Sequence, residues 1–292
     1  MARPFTIAIA SGKGGTGKTT VAVNLASVQR QPVQLMDCDV EEPNCHLFLD
    51  GAMRSQEAVE IPVPEVDESL CDGCGECSRL CQYHAIVSLK TKPLLFPELC
   101  HGCGGCAKVC PPRAIREVGR RIGVIETSVS NHISLIQGRL DVGVPIAPPL
   151  IRAVKARRRS GMHVILDAPP GTSCPVITTV RDSDVVVLVT EPTPFGLHDL
   201  VLAVQLMREL RIPFGVVVNR VGSGDGRVHA FCQAEGIQVL LELPEDRRVA
   251  EAYSRGELLS DVLPEYRLLF VRLLETILDC CNQTEGATHA HV

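Results

Sequence analysis

The sequence predicts an α/β fold with a mostly parallel sheet, interrupted by a small cysteine-rich module. Short apolar, β-branched runs alternate with longer helical patterns along most of the 292 residues. A glycine-rich loop joins the first apolar run to the first helical pattern, and a repeat with a period of 29 residues breaks the alternation. Since alternating strands and helices form parallel sheets covered on both faces, we expect one such domain, split by the module.

Six runs have the length and near-continuous hydrophobicity of strands that are buried on both faces. They are Phe5–Ala10, Val33–Met36, His163–Leu166, Val185–Val189, Phe214–Val218 and Gln238–Leu241. The helical patterns include Thr19–Arg30, Leu150–Arg159, His198–Arg211 and a C-terminal helix at about 265–281. The polar tail, 282–292, is expected to be disordered.

The composition excludes several classes of protein. Hydrophobic residues make up 45% and charged residues 22% of the chain, as in an ordinary globular protein. The net charge of −5 provides no overall basic surface for nucleic acid. No apolar run reaches the roughly 18 residues of a membrane-spanning helix, and the C-terminal helix lacks the basic face of a membrane-surface helix. No signal peptide is seen, so we expect a cytoplasmic protein whose thiols stay reduced.

The module is defined by an internal repeat that contains eight of the chain's 14 cysteines. Residues 71–86 read CDGCGECSRLCQYHAI and residues 100–115 read CHGCGGCAKVCPPRAI, with eight of the 16 positions identical. The module is expected over 65–117, between domain segments 1–64 and 118–281, with the Pro-rich segment IPVPEVDE as a linker. Because so short a module forms only a small core, a bound cofactor is expected to stabilise it.

Each half of the repeat has the spacing C-x2-C-x2-C-x3-C, which is that of two-cluster bacterial ferredoxins. In this pattern the fourth cysteine of each half binds the other cluster. The two ligand sets are then Cys71, Cys74, Cys77 and Cys110 for one [4Fe–4S] cluster and Cys100, Cys103, Cys106 and Cys81 for the other. Zinc and disulfides are the alternatives; zinc sites use paired cysteines without a third, and disulfides conflict with a reducing compartment. Pro111 follows Cys110, as the ferredoxin pattern expects, whereas Gln82 follows Cys81 at the equivalent position of the first half.

The glycine loop GKGGTGKT at residues 12–19 follows the first strand and precedes a helix. It fits the P-loop pattern, whose backbone N–H groups surround phosphate oxygens at the positive end of a helix. The residues expected to contact nucleotide here are Gly12, Lys13, Gly14, Gly15, Thr16, Gly17, Lys18, Thr19 and Thr20. Lys18 is expected to reach the β- and γ-phosphates and Thr19 to hold Mg²⁺.

The same loop also fits the dinucleotide pattern G-x-G-x-x-G, with Asp37 following at a strand end. Three features favour a nucleoside triphosphate instead. The pair Lys18–Thr19 has no role on a dinucleotide, the strand HVILD ends in Asp167 as a metal-binding strand does, and APPGT forms a glycine turn suited to sensing a γ-phosphate.

The loop GKGGTGKTT contains a second lysine, Lys13, and resembles the deviant Walker A motif of the MinD/ParA family of P-loop ATPases. DCDVEEPN and DAPPGT resemble the two switches of that family, and VVVNR its adenine-side strand end. The whole chain resembles the MinD-superfamily ATPases that carry an inserted bacterial-type ferredoxin domain, a small α+β unit. The resemblance implies ATP, Mg²⁺ and two [4Fe–4S] clusters as cofactors.

The resemblance also implies residue roles. Lys13 would reach across a dimer interface to the partner's phosphates, while Lys18 acts within its own subunit. Asp39 would position the attacking water and Asp37 would support it, although capping of a loop by both carboxylates is an alternative. Asp167 would hold Mg²⁺ through water.

Two further contacts follow from the same resemblance. Gly171 would donate its N–H to the γ-phosphate, and Asn219 would contact adenine.

The function we expect from the sequence is a slow ATPase in which nucleotide-driven dimer closure controls electron transfer through the clusters to a partner protein. The alternatives are an ATP-dependent carrier or assembly protein for iron–sulfur clusters or metallocofactors, and a positioning ATPase with structural clusters. The expected partners are a second copy or a paralogue, and a redox or metallocofactor client, without nucleic acid or membrane.

Two features remain outside this function. Cys174 lies seven residues after Asp167 and is expected to be a structural or weakly functional thiol. The resemblance to the nitrogenase iron protein implies the alternative, a ligand to a cluster shared between two subunits. The basic run Lys155, Arg157, Arg158 and Arg159 suggests either an acidic partner or, more commonly, a solvated helix end.

Overall fold

The computed structural model describes residues 4–89, 92–222 and 224–288, with side chains described as far as 279. The strands are β1 Thr6–Ala10, β2 Val33–Asp37, β3 Ala52–Val66, β4 Ile86–Leu89, β5 Lys92–Leu95, β6 Ile115–Ser130, β7 Ile133–Leu140, β8 His163–Asp167, β9 Val185–Thr190, β10 Phe214–Val221 and β11 Val239–Pro244. Nine of them form one sheet in the order β11-β10-β9-β1-β8-β2-β7-β6-β3. The first seven strands of this order are parallel, and β6 and β3 are added antiparallel at one edge.

Helices cover both faces of the sheet. They are α1 Lys18–Ser27, α4 Pro148–Lys155, α5 Cys174–Val180, α6 Pro194–Leu210, α7 Arg227–Ala234, α8 Arg247–Ser254, α9 Leu259–Val262 and α10 Pro264–Thr288. Two short helices, α2 Glu76–Leu80 and α3 Gly105–Lys108, lie away from these faces. Side chains of β1 alternate between two apolar cores: Ala8 packs with α4 to α7, and Ile7 packs with α1 and α10. This alternation is the period of two along a strand, so both faces of β1 are buried.

Each of the six apolar runs of the sequence analysis coincides with a strand of this sheet, although Phe5 and Gln238 lie one residue before β1 and β11. The tail, 282–292, was expected to be disordered, but α10 continues to Thr288. Residues 289–292 lie outside the described residues. Within the described ranges, no helix is long and apolar enough to cross a membrane.

A long antiparallel pair, β3 with β6, extends from the edge of the sheet. Its register runs from Ala52 opposite Val129 to Val66 opposite Ile115. The expectation of a linker at IPVPEVDE is therefore wrong, because most of this segment is the end of β3. Pro62 and Pro64 are tolerated there because β3 is an edge strand, and residues two apart present their missing N–H groups to the same, unpaired side.

The cysteine-rich segment lies between the ends of these two strands, over residues 67–114. It contains the short helices α2 and α3 and the antiparallel hairpin β4–β5. Cys100 and Ala85 share one apolar core with Ile61 of β3 and Leu150 of α4. The base of the segment is thus packed on the sheet domain and is not tethered by a free linker.

Candidate functional site

The loop of residues 11–17 connects β1 to the first turn of α1 at the carboxyl end of the sheet. Gly17 has a left-handed φ of 96°, and a Cβ there would lie 2.5 Å from the Asn219 side-chain nitrogen. A Cβ on Gly12 would lie 2.3 Å from the Asp199 carbonyl oxygen. Both positions therefore require glycine, and the loop leads directly into a helix N-terminus, where anions bind favourably.

Lys18 and Thr19 open α1 beside two buried carboxylates. Lys18 is only 7% exposed, and burial lowers the pKa of its ammonium although the charge of Asp167 opposes the shift. The Thr19 hydroxyl donates to Asp167 Oδ2 at 2.6 Å. Asp167 is fully buried, and its Oδ1 has no hydrogen-bond partner among the described residues.

Asp37, at the end of β2, organises the loop that follows it. Its carboxylate accepts hydrogen bonds from the backbone N–H groups of Asp39 at 3.1 Å, Asn44 at 2.9 Å and Cys45 at 3.0 Å. Burial raises the pKa of Asp37 although these hydrogen bonds oppose the shift. The loop-capping role that the sequence left open for Asp37 is therefore present in the structure.

Cys45 is a site residue that the sequence analysis did not identify. Its buried thiol donates to Asp167 Oδ2 at 3.5 Å, and ligand-type atoms of Asp37, Cys45 and Asp167 all lie within 4.8 Å of one another. The unpaired Asp167 oxygen and the Thr19 hydroxyl provide oxygen donors of the type that Mg²⁺ prefers. These residues fit a divalent cation at the phosphate end of the loop.

A cavity of about 830 Å³ opens in front of the loop, within the size range of small-molecule sites. Its walls include Lys18, Thr19, Asp39 and Asn219 from the predicted site, together with Tyr253 and residues of the segment after β11. Burial, followed by the charge of Asp37, raises the pKa of Asp39 to about 7. The cavity has the dimensions and the polar base that a nucleotide needs.

Three residues that were predicted to contact nucleotide form bonds with other groups of the chain. Lys13 Nζ lies 3.0 Å from Glu191 Oε2, the Gly171 N–H donates to the Ser11 carbonyl at 3.0 Å, and the Asn219 amide donates to the Thr16 carbonyl at 2.8 Å.

Glu191, directly after β9, was missed by the sequence analysis because a single acid at a strand end has no diagnostic spacing. Its carboxylate also accepts from Arg220 at 2.6 Å.

The eight cysteines of the repeat line two separate cavities. Cys71, Cys74, Cys77 and Cys110 line the first, and Cys81, Cys100, Cys103 and Cys106 line the second. These groupings are the two sets that the spacing predicts, including the exchange of the fourth cysteine of each half. All eight thiols are free of disulfides.

The surroundings of these cysteines fit a cubic cluster. Gly73, Gly75, Gly102 and Gly104 have φ between 67° and 76°, so the loops bend as only glycine readily allows. Backbone N–H groups donate to the sulfurs of Cys100 and Cys110 at 3.4 and 3.2 Å. Burial raises the pKa of the Cys106 thiol to about 11, so a thiolate there needs a metal's positive charge.

The two cavities lie at different distances along the β3–β6 pair. The first is lined by Val66 and Ile115, at the outer end of the pair, and the second by Pro62, Pro64 and Glu117, nearer the sheet. The second cavity, which we call the inner cavity, therefore adjoins the domain that contains the glycine loop.

These features define a P-loop nucleotide-binding protein. They are the parallel sheet, the glycine loop after its first strand, and the buried carboxylates of Asp37 and Asp167 beside that loop. The chain belongs to the CobQ/CobB/MinD/ParA nucleotide-binding family, whose domain matches residues 7–259. An uncharacterised protein of Methanocaldococcus jannaschii is 36% identical over 222 residues, covering 74% of this chain and 78% of that protein.

More distant relatives extend the comparison. An iron–sulfur cluster carrier protein of Pyrococcus horikoshii is 23% identical over 270 residues, covering 86% of this chain and 78% of that protein. The Mg-ADP complex of the septum site-determining protein MinD from the same organism aligns with a TM-score of 0.58 at 19% identity, covering 94% of this chain and 96% of that one. At this identity the structural match shows the fold alone.

Proposed function

We propose that this chain is an ATP-dependent iron–sulfur protein that carries clusters to a client, with ATP hydrolysed between two subunits. The observation that carries the proposal is the pair of four-cysteine cavities packed on a P-loop domain. Support for a carrier comes from relatives of that name in Pyrococcus and Aquifex, of which the Aquifex aeolicus protein is 27% identical over 270 residues. Two [4Fe–4S] clusters held by the two cysteine sets are part of the proposal.

The residues of the P-loop domain supply the phosphate chemistry. Lys18 neutralises phosphate charge at the helix N-terminus. Thr19 and Asp167 would hold the cation, which would supply positive charge to the phosphate oxygens. Asp39 accepts a proton from the attacking water or orients it, which requires its ionised form. Lys13 leaves Glu191 and reaches the phosphates of the second subunit, so that hydrolysis depends on the closed dimer.

Electron delivery is the second candidate, and one observation favours it. Each cavity has a complete set of four cysteines, as suits a cofactor that stays bound. The inner cavity would then be the one closest to the nucleotide-dependent switches.

One experiment separates the two candidates. Cluster-loaded protein is mixed anaerobically with an apo-protein that needs a [4Fe–4S] cluster for its activity, with Mg-ATP, with Mg-ADP and without nucleotide. A carrier activates the acceptor several-fold faster with Mg-ATP, and a Lys18→Ala variant loses this nucleotide dependence. If clusters stay on the protein while Mg-ATP shifts their reduction potentials, electron delivery is supported and the carrier proposal fails.

A further inference from the structure

The basic run at residues 155–159 is only in part a solvated helix end, because Arg157 and Arg159 are exposed but Lys155 and Arg158 are half-buried. Lys155 donates to the carbonyls of Thr178, Thr179 and Arg181 at 2.6–2.8 Å, and so caps the C-terminus of α5 with its charge. All three ammonium hydrogens have acceptors, and a cation at a helix C-terminus is stabilising. Arg157 donates outward to Glu57 at 2.6 Å.

Arg158 lies between two backbone groups that the fold holds in place. The fully buried Gln34 donates from its amide to the Arg157 carbonyl at 3.1 Å and accepts from the Arg159 N–H at 2.6 Å. These bonds fix the backbone on both sides of Arg158. Its guanidinium Nε and Nη2 are shielded from solvent and have no hydrogen-bond partner among the described residues.

Such an arrangement is unfavourable unless something else satisfies it. A buried N–H left without an acceptor is destabilising, because it has lost its hydrogen bonds to water. Nε and Nη2 form one edge of a planar fork, and this edge matches two oxygens of a carboxylate or a phosphate group. Burial also lowers the pKa of Arg158, as expected for a charge that no neighbour fully compensates.

An open cavity of about 490 Å³ lies against this side chain, between α4 and α5. Its lining includes four basic residues, Arg152, Lys155, Arg158 and Arg181, and one acidic residue, Asp182. Cys174, an exposed thiol, lies in the same lining. Cys174 is the first residue of α5 and follows the loop of Asp167 and Gly171.

We infer that this cavity binds a small oxyanion, a phosphate or carboxylate group that accepts hydrogen bonds from Arg158 in the positive potential of its three basic neighbours. The inference is independent of the proposed function, because it uses no nucleotide or cluster contact. A small ligand is favoured over an acidic protein because the unsatisfied groups are recessed and not displayed on the surface.

The test is a calorimetric titration of the cluster-loaded protein, kept saturated with Mg-ADP so that the P-loop is filled. Inorganic phosphate and malonate are titrated in separate arms to distinguish the two sources of oxygen. We expect one site per chain with a Kd in the millimolar range or below, weakened at least about tenfold in Arg158→Gln, the loss of one charged hydrogen-bonding group. Arg157→Gln, which removes an adjacent outward-facing guanidinium, is the matched control and keeps the wild-type Kd.

Chemical modification of Cys174 tests the same inference if the heats of binding are too small to measure by calorimetry. Phosphate or malonate, whichever binds, should slow alkylation of Cys174 by iodoacetamide in the wild type, measured by mass spectrometry of its peptide, and not in Arg158→Gln. Unchanged Mg-ADP affinity shows that the variant is folded. The inference is overturned if neither anion binds the wild type, if Arg158→Gln binds like the control, or if only a poly-glutamate chain binds.

Discussion

Lys13 Nζ and Glu191 Oε2 lie 3.0 Å apart within one chain. The Glu191 side chain is 9% exposed and also accepts from Arg220, so a largely buried carboxylate holds the lysine that the family resemblance assigns to the partner's phosphates. If Lys13 exchanges the Glu191 carboxylate for a phosphate of the partner subunit, its positive charge is neutralised in both the open and the closed dimer. In the proposed mechanism, dimer closure therefore includes the breaking of one identifiable ion pair.

Glu191→Gln is expected to accelerate ATP hydrolysis. The neutral amide holds Lys13 less strongly, and a partly exposed ion pair contributes up to about 1 kcal/mol, or about fivefold in an equilibrium. The gain should be seen in steady-state rates at low protein concentration, where dimer formation limits the reaction. Glu235→Gln, which breaks an exposed pair with Arg208, is the control. A rate for Glu191→Gln that equals or falls below the wild-type rate would contradict this role.

Nucleotide binding should release a proton below neutral pH. Since burial raises the pKa of Asp39 to about 7, the folded nucleotide-free protein binds a proton there that the unfolded chain loses near pH 4. The stability from this protonation is present below about pH 4 and is lost as the pH rises through about 7.

A bound cation favours ionised Asp39, so this carboxyl makes Mg-ADP affinity rise with pH up to about 7, by at most about tenfold per pH unit for its one proton. Burial also raises the pKa of Asp167 to about 8, so Asp167 adds a release of its own that the comparison with Asp39→Asn leaves unchanged. Calorimetry in buffers of different ionisation enthalpy measures the released protons. The same measurement on Asp39→Asn gives the proton release that does not come from Asp39, including that of the nucleotide itself. The difference between the two proteins is then the contribution of Asp39. Equal pH slopes for the two proteins would show that Asp39 does not titrate on binding.

The loop glycines should differ sharply in their tolerance of alanine. Gly17→Ala places a Cβ 2.5 Å from the Asn219 side chain at a φ of +96°, a strain of about 1–3 kcal/mol. Gly14 faces open space, so Gly14→Ala should change the free energy of unfolding by no more than about 0.5 kcal/mol. Denaturant unfolding without nucleotide provides the comparison, and equal midpoints for the two variants would be inconsistent with this packing.

The two cysteine cavities predict a non-additive pattern of iron loss. If each cavity holds one four-iron cluster, Cys71→Ser with Cys110→Ser should retain about four irons per chain, like either single variant. Cys71→Ser with Cys81→Ser affects both cavities and should retain almost none. Cys174→Ser, an exposed thiol outside both cavities, is the control. Iron analysis after anaerobic reconstitution decides the matter, and loss of all iron in the first pair would refute the assigned sets.

Six of the seven parallel strands of the sheet were predictable because they are short and continuously apolar. The seventh, β7, was not, because Ser134, Gln137 and Gly138 interrupt its apolar residues. The antiparallel strands β3 and β6 were not predictable either. The first part of β3 is mostly exposed and reads AMRSQEA, and its end contains Pro62 and Pro64, which signal a linker unless the strand is known to lie at an edge. Edge position is a property of the assembled sheet, so no local pattern reports it.

The residues of the candidate site also fall into those that the sequence predicts and those that it does not. The glycine loop and the cysteine sets follow from covalent spacing, and the structure brings each set together. Glu191, Cys45 and Arg158 come from distant segments and have no motif, since their roles depend on what folding places beside them. The sequence suggested a solvated helix end for Arg158, and only its missing hydrogen-bond partners indicate otherwise.

The most direct test of the central claim is the metal and sulfide content of the anaerobically purified protein, with EPR spectra of its reduced form. Two [4Fe–4S] clusters per chain predict about eight irons and eight sulfides, and signals that appear on reduction. About two zinc ions per chain, without sulfide and without a signal after reduction, would contradict the assignment of the cysteine cavities and with it the proposed function.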